Sequence, residues 1–529
     1  MHSTAMQRLR ALLLVTLLMA AGACTDDGGD DDPDEGAVTT TTVAEGGPTT
    51  PGGALPELTP IRAASLGGRP AFVDGSGRQV LLRGANFNAL GDYFQADPAF
   101  APTRPPTDAD WDGMAAAGFS VVRLIVSWSA LEPVRGQIDM AYVERIRQAI
   151  DAAAARRVYT VVDMHQDAWG KFIATPFGTV CPPLTEPAIG WDGAPQWATL
   201  TDGADTCRPI GYREGSPAVQ AAFTAFYENR EGIRDAFAAT WHRLVAALGD
   251  TPAIAGYDLF NEPNLVLEAT LSEQRYTELL RSTLAEVRAG EAEAGVGARV
   301  VFVEPIVLYP LPGSLPAHPL AMDDQLAFAP HNYAESIGPK ILTVEQTMDV
   351  AVTTADERAW PLWIGEHGVF AIDEAARAVN RRFAAAQDEA MAGGAQWQWR
   401  QWCGDPHSIG VPGRAVTEVQ VQLNDVACPA DVATGPDVDL LMVAGRAYPR
   451  AAPGRLTDLD SDPDAGTVSI QGVIEDDLAT GGDLVVWIPG EDRPEIEGVG
   501  VGEPVLSQVP GGWYVTVEVV DSPYELSAR

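Results

Sequence analysis

The chain is expected to fold as an α/β protein, a (β/α)8 TIM barrel followed by a C-terminal antiparallel β-sandwich. Three observations lead there. Eight continuous apolar runs recur between residues 57 and 440, helical segments fall between them, and from residue 441 the pattern changes to short alternating runs. Continuous apolar character suits parallel strands covered on both faces, whereas alternation suits antiparallel strands with one wet face.

The eight runs are VLLRGANFN (80–88), SVVRLIVSW (120–128), VYTVVDMHQD (158–167), IAGYDLFNEPN (254–264), RVVFVEPIV (299–307), LAFAPHNY (326–333), PLWIGEHGV (361–369) and GAQWQWRQW (394–402). Segments such as AYVERIRQAIDAAAARR, AVQAAFTAFYENREGIRDAFAATWHRLVAALG and DEAARAVNRRFAAAQDEAMAGG carry helical patterning between them. A doubly wound sheet is the structural alternative, but no phosphate-binding GxGxxG follows the first run. Residues 441–529 contain GTVSIQGVI, GDLVVWIP, PVLSQVP and GWYVTVEVV, separated by Gly, Pro and Asp turns, and read as the β-sandwich.

The N-terminus reads as a targeting segment. Arg8 and Arg10 precede the apolar ALLLVTLLM, and small residues lead to Cys24. Residues 1–23 are therefore expected to be a secretory signal of the lipoprotein type, with Cys24 the lipidated residue. Residues 24–56, rich in Asp, Gly, Thr and Pro, read as a flexible tether. The expected location is secreted, or lipid-anchored on the outer face of a bacterial membrane. The other four cysteines, Cys181, Cys207, Cys403 and Cys428, allow three connectivities. Local pairing, Cys181–Cys207 and Cys403–Cys428, is expected because each pair lies within one Pro/Gly/Asp-rich segment. No cysteine or histidine cluster has zinc spacing, and neither a metal nor a cofactor is expected.

Charge narrows the partners. With 73 acidic and 35 basic residues, a net charge of −38 and only two lysines, the chain lacks the basic face that phosphate backbones require. Nucleic acid is not an expected partner.

Polar residues crowd the ends of the eight runs: Asn86, Asn88, Arg123, His165, Asp167, Asn261, Glu262, Glu304, His331, Tyr333, Glu366, Trp397 and Trp399. The C-terminal rim is where barrels of this kind build their sites. Glu262 closes the fourth run and Glu366 the seventh, and in an eight-stranded barrel those two ends face each other. Two facing carboxyls, one protonated and one ionised, are what a retaining glycosidase uses.

With NEP closing the fourth run, GE the seventh, VVRL on the second, HxY on the sixth and a Trp-rich eighth, the chain resembles glycoside hydrolase family 5. DMHQD, WDGAPQWA (191–198), FAPHNY and RAYPRA (446–451) resemble its endoglycoceramidase branch. The resemblance implies Glu262 as acid/base and Glu366 as nucleophile, with no cofactor. It also implies Arg123 and Tyr333 bonded to Glu366, and Asn261 on the sugar 2-hydroxyl. His165, Asp167 and His331 would line the sugar pocket, with Trp397 or Trp399 as its floor. The pKa of Glu262 should lie above that of Glu366, raised by its ionised neighbour.

Members of the branch carry a lysine just after the first strand that contacts the glycan. NFNALGDYFQ has none, which leaves the sugar open. The expected substrate is a glycan β-linked to a ceramide-like lipid, the apolar stretches 168–178 and 307–320 facing the lipid part, with the membrane surface a second partner through Cys24. A family 5 β-glucosidase or endoglucanase acting on non-lipid β-glucosides is the enzyme alternative, and a surface carbohydrate-binding lipoprotein the non-enzyme one.

Overall fold

The computed structural model describes Leu55 and residues 57–529, apart from 96–100, 102, 265, 267–268, 308, 311–313, 317–319, 321–322, 338–340, 410–417, 420–421, 429, 431 and 475–481. The signal, Cys24 and nearly all of the tether lie outside the described residues. No helix among the described residues is long and apolar enough to cross a membrane.

The barrel strands are Arg83–Leu90, Val121–Ser127, Tyr159–His165, Ile254–Asp258, Val300–Val303, a sixth strand in two pieces, Trp363–His367 and Gly393–Gln396. All pair in parallel with their neighbours in chain order, and the eighth returns to the first. The sixth strand closes the ring. Leu326–Phe328 pairs with the fifth strand, His331–Asn332 pairs with the seventh, and Pro330, which has no N–H to give a ladder, lies between the pieces. Every residue of the second and third strands is buried, as their unbroken apolar character requires. Gly84 permits the close approach of the first two strands, since a Cβ there would lie 1.7 Å from the Val121 carbonyl oxygen.

Helices cover the barrel. Met140–Ala154 turns Tyr142, Val143, Ile146, Ala149, Ile150 and Ala153 inward at helical spacing, and the Asp139 side chain caps its first amides. The long segment after the third strand, expected to be one helical stretch, is two helices, Pro217–Tyr227 and Ile233–Leu248. Asn229, Glu231 and Gly232 adopt left-handed backbone between them, which ends one helix and reorients the next.

After the barrel come two antiparallel sheets. One orders Arg455–Asp462, Thr467–Val473, Tyr524–Ala528 and Ile496–Val499. The other contains Tyr448–Ala452, Asp483–Pro489, Gly512–Glu518 and Val505–Val509, and it also takes in Arg62–Leu66, Arg69–Val73 and Gln79–Val80. The sequence reading counts residues 57–440 as barrel. The strands at 62–80 instead extend the sandwich sheet, because Gln79 and Val80 pair with Ala452 and Ala451 across the chain. Both disulfides close as expected, Cys181–Cys207 and Cys403–Cys428.

One apolar core lies between barrel and helices, and a second runs from the barrel floor into the sandwich. Trp487 joins them. It is fully buried, its Nε1 donates to the Gly445 carbonyl at 2.9 Å, and its ring fills the space over Gly118 that a Cβ would occupy. Trp487→Ala is expected to lower stability by about 3–5 kcal/mol through the cavity it leaves. Urea unfolding measures it, and a loss under about 1 kcal/mol would show that the sandwich does not brace the barrel.

Candidate active site

Arg123 organises the rim. The second strand places it in the barrel interior with no exposure. Its Nη1 donates to Glu366 Oε1 at 2.7 Å and to Asn86 Oδ1 at 3.1 Å. Its Nη2 donates to Glu304 Oε1 at 2.7 Å and to Asn261 Oδ1 at 3.0 Å, and its Nε to Asp258 Oδ2 at 3.0 Å. Asp163 lies 3.1 Å from Nη2. A single guanidinium thus ties together the ends of the first, third, fourth, fifth and seventh strands. Among these partners, burial and the neighbouring Glu304 push the Asp258 carboxyl far above its ordinary range.

Glu262 and Glu366 meet across the mouth. One carboxylate oxygen of each, with a ring nitrogen of His331, lie within 4.8 Å of one another. The Tyr333 hydroxyl donates to Glu366 Oε2 at 2.8 Å, so both oxygens of Glu366 are held. Glu262 sits just past its strand in left-handed backbone, φ 38°, with its N–H donated to Glu304 Oε2 at 2.7 Å. That bond holds a strained conformation which aims the side chain across the mouth. His331 Nδ1 lies 2.9 Å from Glu262 Oε1 and 3.5 Å from Glu366 Oε2.

The pKa directions reverse the expected order. Burial pushes Glu262 up, but His331 and Arg213 outweigh it and hold the carboxyl below its ordinary range. Burial, with the Glu262 charge, lifts Glu366 above its own despite His331 and Arg123. His331 itself is held strongly cationic against its burial by Glu304, Glu366 and Glu262.

A second string of charges lines the wall. His165 Nδ1 lies 2.7 Å from Asp163 Oδ2, and Asp163 and its acidic neighbours raise the imidazole to about 9 despite burial. Asp167 lies 2.9 Å from His407 Nε2 and 2.6 Å from Arg213 Nη2. His407 leads on to Asp405, which accepts from Asn88. The Trp397 ring stacks on His165 at 5.7 Å, and the Trp191 ring lies 4.9 Å from His407.

The structure therefore gathers Arg123, His165, Asp167, Asn261, Glu262, His331, Tyr333, Glu366 and Trp397 into one mouth. Trp399 is not there. Its ring points outward under the helix Asp108–Ala116 and its Nε1 donates to Asp110 at 3.1 Å. Sequence reasoning missed Arg213, Asp405 and His407, which arrive from loops without periodic patterning. GDPH, just beyond the eighth run, was the only available signal for the last two. Of the apolar stretch 168–178, Trp169 and Ile173 are core residues, whereas Phe172 and Phe177 are exposed. Much of 307–320 lies outside the described residues.

Comparison with known proteins places this geometry. The family described as Cellulase (glycosyl hydrolase family 5) matches residues 73–404. A crystal structure of an endogalactoceramidase is 40% identical with a TM-score of 0.81, covering 89% of this chain and 99% of that one. Endoglycoceramidase I of Rhodococcus hoagii (strain 103S) is 30% identical over 214 residues, 39% of this chain and 38% of the relative. The chain thus matches well under half the length of that curated relative. Endo-glycoceramidase II from Rhodococcus sp., solved as a ganglioside GM3 complex, shares the fold at a TM-score of 0.65 and 21% identity, covering 87% of this chain and 99% of that one.

Arg123→Met is expected to lower stability by about 3–5 kcal/mol, since it leaves several buried carboxylates without their cation. Tyr333→Phe, which removes one hydrogen bond, should cost about 1 kcal/mol. Urea unfolding of both variants measures the contrast, and equal small losses would show that the guanidinium is not what holds the cluster.

Proposed function

The chain belongs to glycosyl hydrolase family 5, and from that premise we propose that it is a retaining endo-β-glycosidase that releases a glycan from a ceramide-like lipid. The observation that carries the reading is the Glu262–Glu366 pair, whose oxygens approach within 4.8 Å. Retaining enzymes hold their carboxyls about 5–5.5 Å apart, whereas inverting ones leave room for a water at about 6.5–9.5 Å.

In the proposed first step a Glu366 oxygen attacks the anomeric carbon while Glu262 passes its proton to the departing aglycone oxygen, and a covalent glycosyl-enzyme forms. In the second step Glu262 takes a proton from water, the hydroxide oxygen bonds the anomeric carbon, and the Glu366 ester breaks. Arg123 and Tyr333 aim the nucleophile, Asn261, His165 and Asp167 hold sugar hydroxyls, and Trp397 supplies an apolar floor.

Two observations support the lipid aglycone. The relative at 40% identity is an endogalactoceramidase, which favours a galactose-linked head among the candidate sugars. Ile337, Phe370 and Ile372 are exposed on loops after the sixth and seventh strands, and the Phe370 ring lies 5.5 Å from Tyr333. That gives the mouth an apolar lip beside the nucleophile, fit for an alkyl chain. The family's description as a cellulase keeps a soluble β-glucan as the second reading. The proposed location is outside the cytoplasm, with Cys24 lipidated; the apolar N-terminal segment and the two disulfides support it.

Glu366→Gln is expected to abolish turnover, whereas azide should restore activity to Glu262→Ala on a substrate with a good leaving group. Proton NMR of the wild-type product should show the β-anomer first, and an α-anomer would overturn the assignment. Release from galactosylceramide, glucosylceramide, a ganglioside and cello-oligosaccharides tests the substrate class. Each buried CH₂ is worth about 0.8 kcal/mol at most, so kcat/KM should rise with alkyl-chain length and Phe370→Ser should flatten the rise. A flat wild-type profile with cello-oligosaccharides cleaved equally well would favour the glucan reading.

A further inference from the structure

Arg213 stands on no barrel strand. It opens the short turn Arg213–Gly215 at the end of the long excursion after the third strand. The Cys181–Cys207 disulfide and a two-residue ladder between Thr185–Glu186 and Arg208–Pro209 brace that excursion. Its guanidinium lies over the Trp191 ring at 4.6 Å, and its Nε donates to Glu214. Its Nη2 is shared between Asp167 Oδ1 at 2.6 Å and Glu262 Oε2 at 3.3 Å. The other oxygen of Glu262 faces His331 Nδ1 at 2.9 Å. Both oxygens of Glu262 therefore meet cationic groups, which is the setting of an ionised carboxylate and not of a proton donor. The first step of a retaining hydrolysis needs the donor.

We propose that Arg213 is a positioning residue that holds Glu262 ionised in the empty site and releases it when a hydroxyl of the bound glycan takes its place on Asp167. The inference rests on the acid/base assignment of Glu262. The geometry favours such a hand-over, because the contact to Glu262 is the longer arm of a shared donor and the contact to Asp167 the shorter. A sugar hydroxyl donating to Asp167 competes for the shorter arm, and once the guanidinium is displaced from the carboxylate, Glu262 takes up a proton from solvent, which it then passes to the aglycone oxygen. Glycan binding and arming of the acid are then one event, and an empty site stays disarmed. The other charged groups around Glu262 are Glu214 on the same turn as Arg213, His331 of the sixth strand, Glu366 of the seventh with Arg123 and Tyr333 behind it, Asp167 after the third, and Glu304 after the fifth. All but Arg213 and Glu214 sit on or at the ends of barrel strands.

The test is the pH dependence of hydrolysis of an alkyl β-galactoside, a substrate whose poor leaving group needs the proton. The alkaline limb of kcat/KM reports the acid in the free enzyme and that of kcat the acid in the complex. In the wild type the kcat/KM limb should fall at lower pH than the kcat limb. A cation favours the ionised form, so removing it raises the carboxyl's affinity for protons. Arg213→Gln should therefore move the kcat/KM limb to higher pH, toward the kcat limb, while Arg213→Lys leaves it near the wild-type position. A 2,4-dinitrophenyl galactoside, which leaves without a proton, should lack this limb in every variant. Coincident limbs in the wild type overturn the proposal even if Arg213→Gln does not fold. So does an unmoved limb in Arg213→Gln with activity lowered equally at every pH. Failure of azide to rescue Glu262→Ala would instead overturn the acid/base assignment beneath it.

Discussion

Everything at the mouth of this barrel depends on one buried cation. Arg123 has no exposed surface, and desolvating a guanidinium costs several kcal/mol unless well-placed acceptors surround it. The acceptors are Asn86, Asp163, Asp258, Asn261, Glu304 and Glu366, drawn from five of the eight strands. Because they converge on one planar group, the strand ends are fixed relative to one another. Glu304 then fixes the backbone of Glu262, and Arg123 itself fixes an oxygen of Glu366. The separation of the two carboxylates is a consequence of that convergence.

Around Arg123 there are more carboxylates than one positive charge can satisfy. The excess is met by protons and by imidazoles: Asp258 is driven toward its neutral form, while His331 and His165 are held charged. Burial drives Asp258 toward neutrality, whereas the two imidazoles keep their charge against it because their carboxylate contacts are not screened by water. The helices, the excursion after the third strand and the sandwich against the barrel floor supply that burial.

The parts of the site that the residues announced in advance lie on strands or just past their ends. Glu262 and Glu366 end apolar runs, and a parallel strand must deliver its last side chains to the rim. Trp397 and Trp399 show where that logic stops. Both follow the same run, yet one ring stacks on His165 and the other packs under a helix. Arg213, Asp405 and His407 stand outside that logic, because the loops and short turns that carry them have no period. Their side chains reach the mouth through a disulfide, a short ladder and a shared aspartate rather than through strand geometry.

By itself the amino-acid sequence determined the parallel barrel, the two disulfide pairings, the antiparallel tail and which two glutamates stand at facing strand ends. Those features follow from local pattern, apolar continuity and chain direction, which are written residue by residue. Only the tertiary structure decided that residues 62–80 complete the sandwich sheet and that the helix after the third strand breaks at Asn229. It also decided that His331 and Arg213 bear on Glu262 strongly enough to reverse the expected order of the two acids. Proton affinity is set by distances of a few ångströms between groups 49 to 104 residues apart in the chain, His331 and Arg213 from Glu262 and Glu262 from Glu366, and no local pattern encodes those distances.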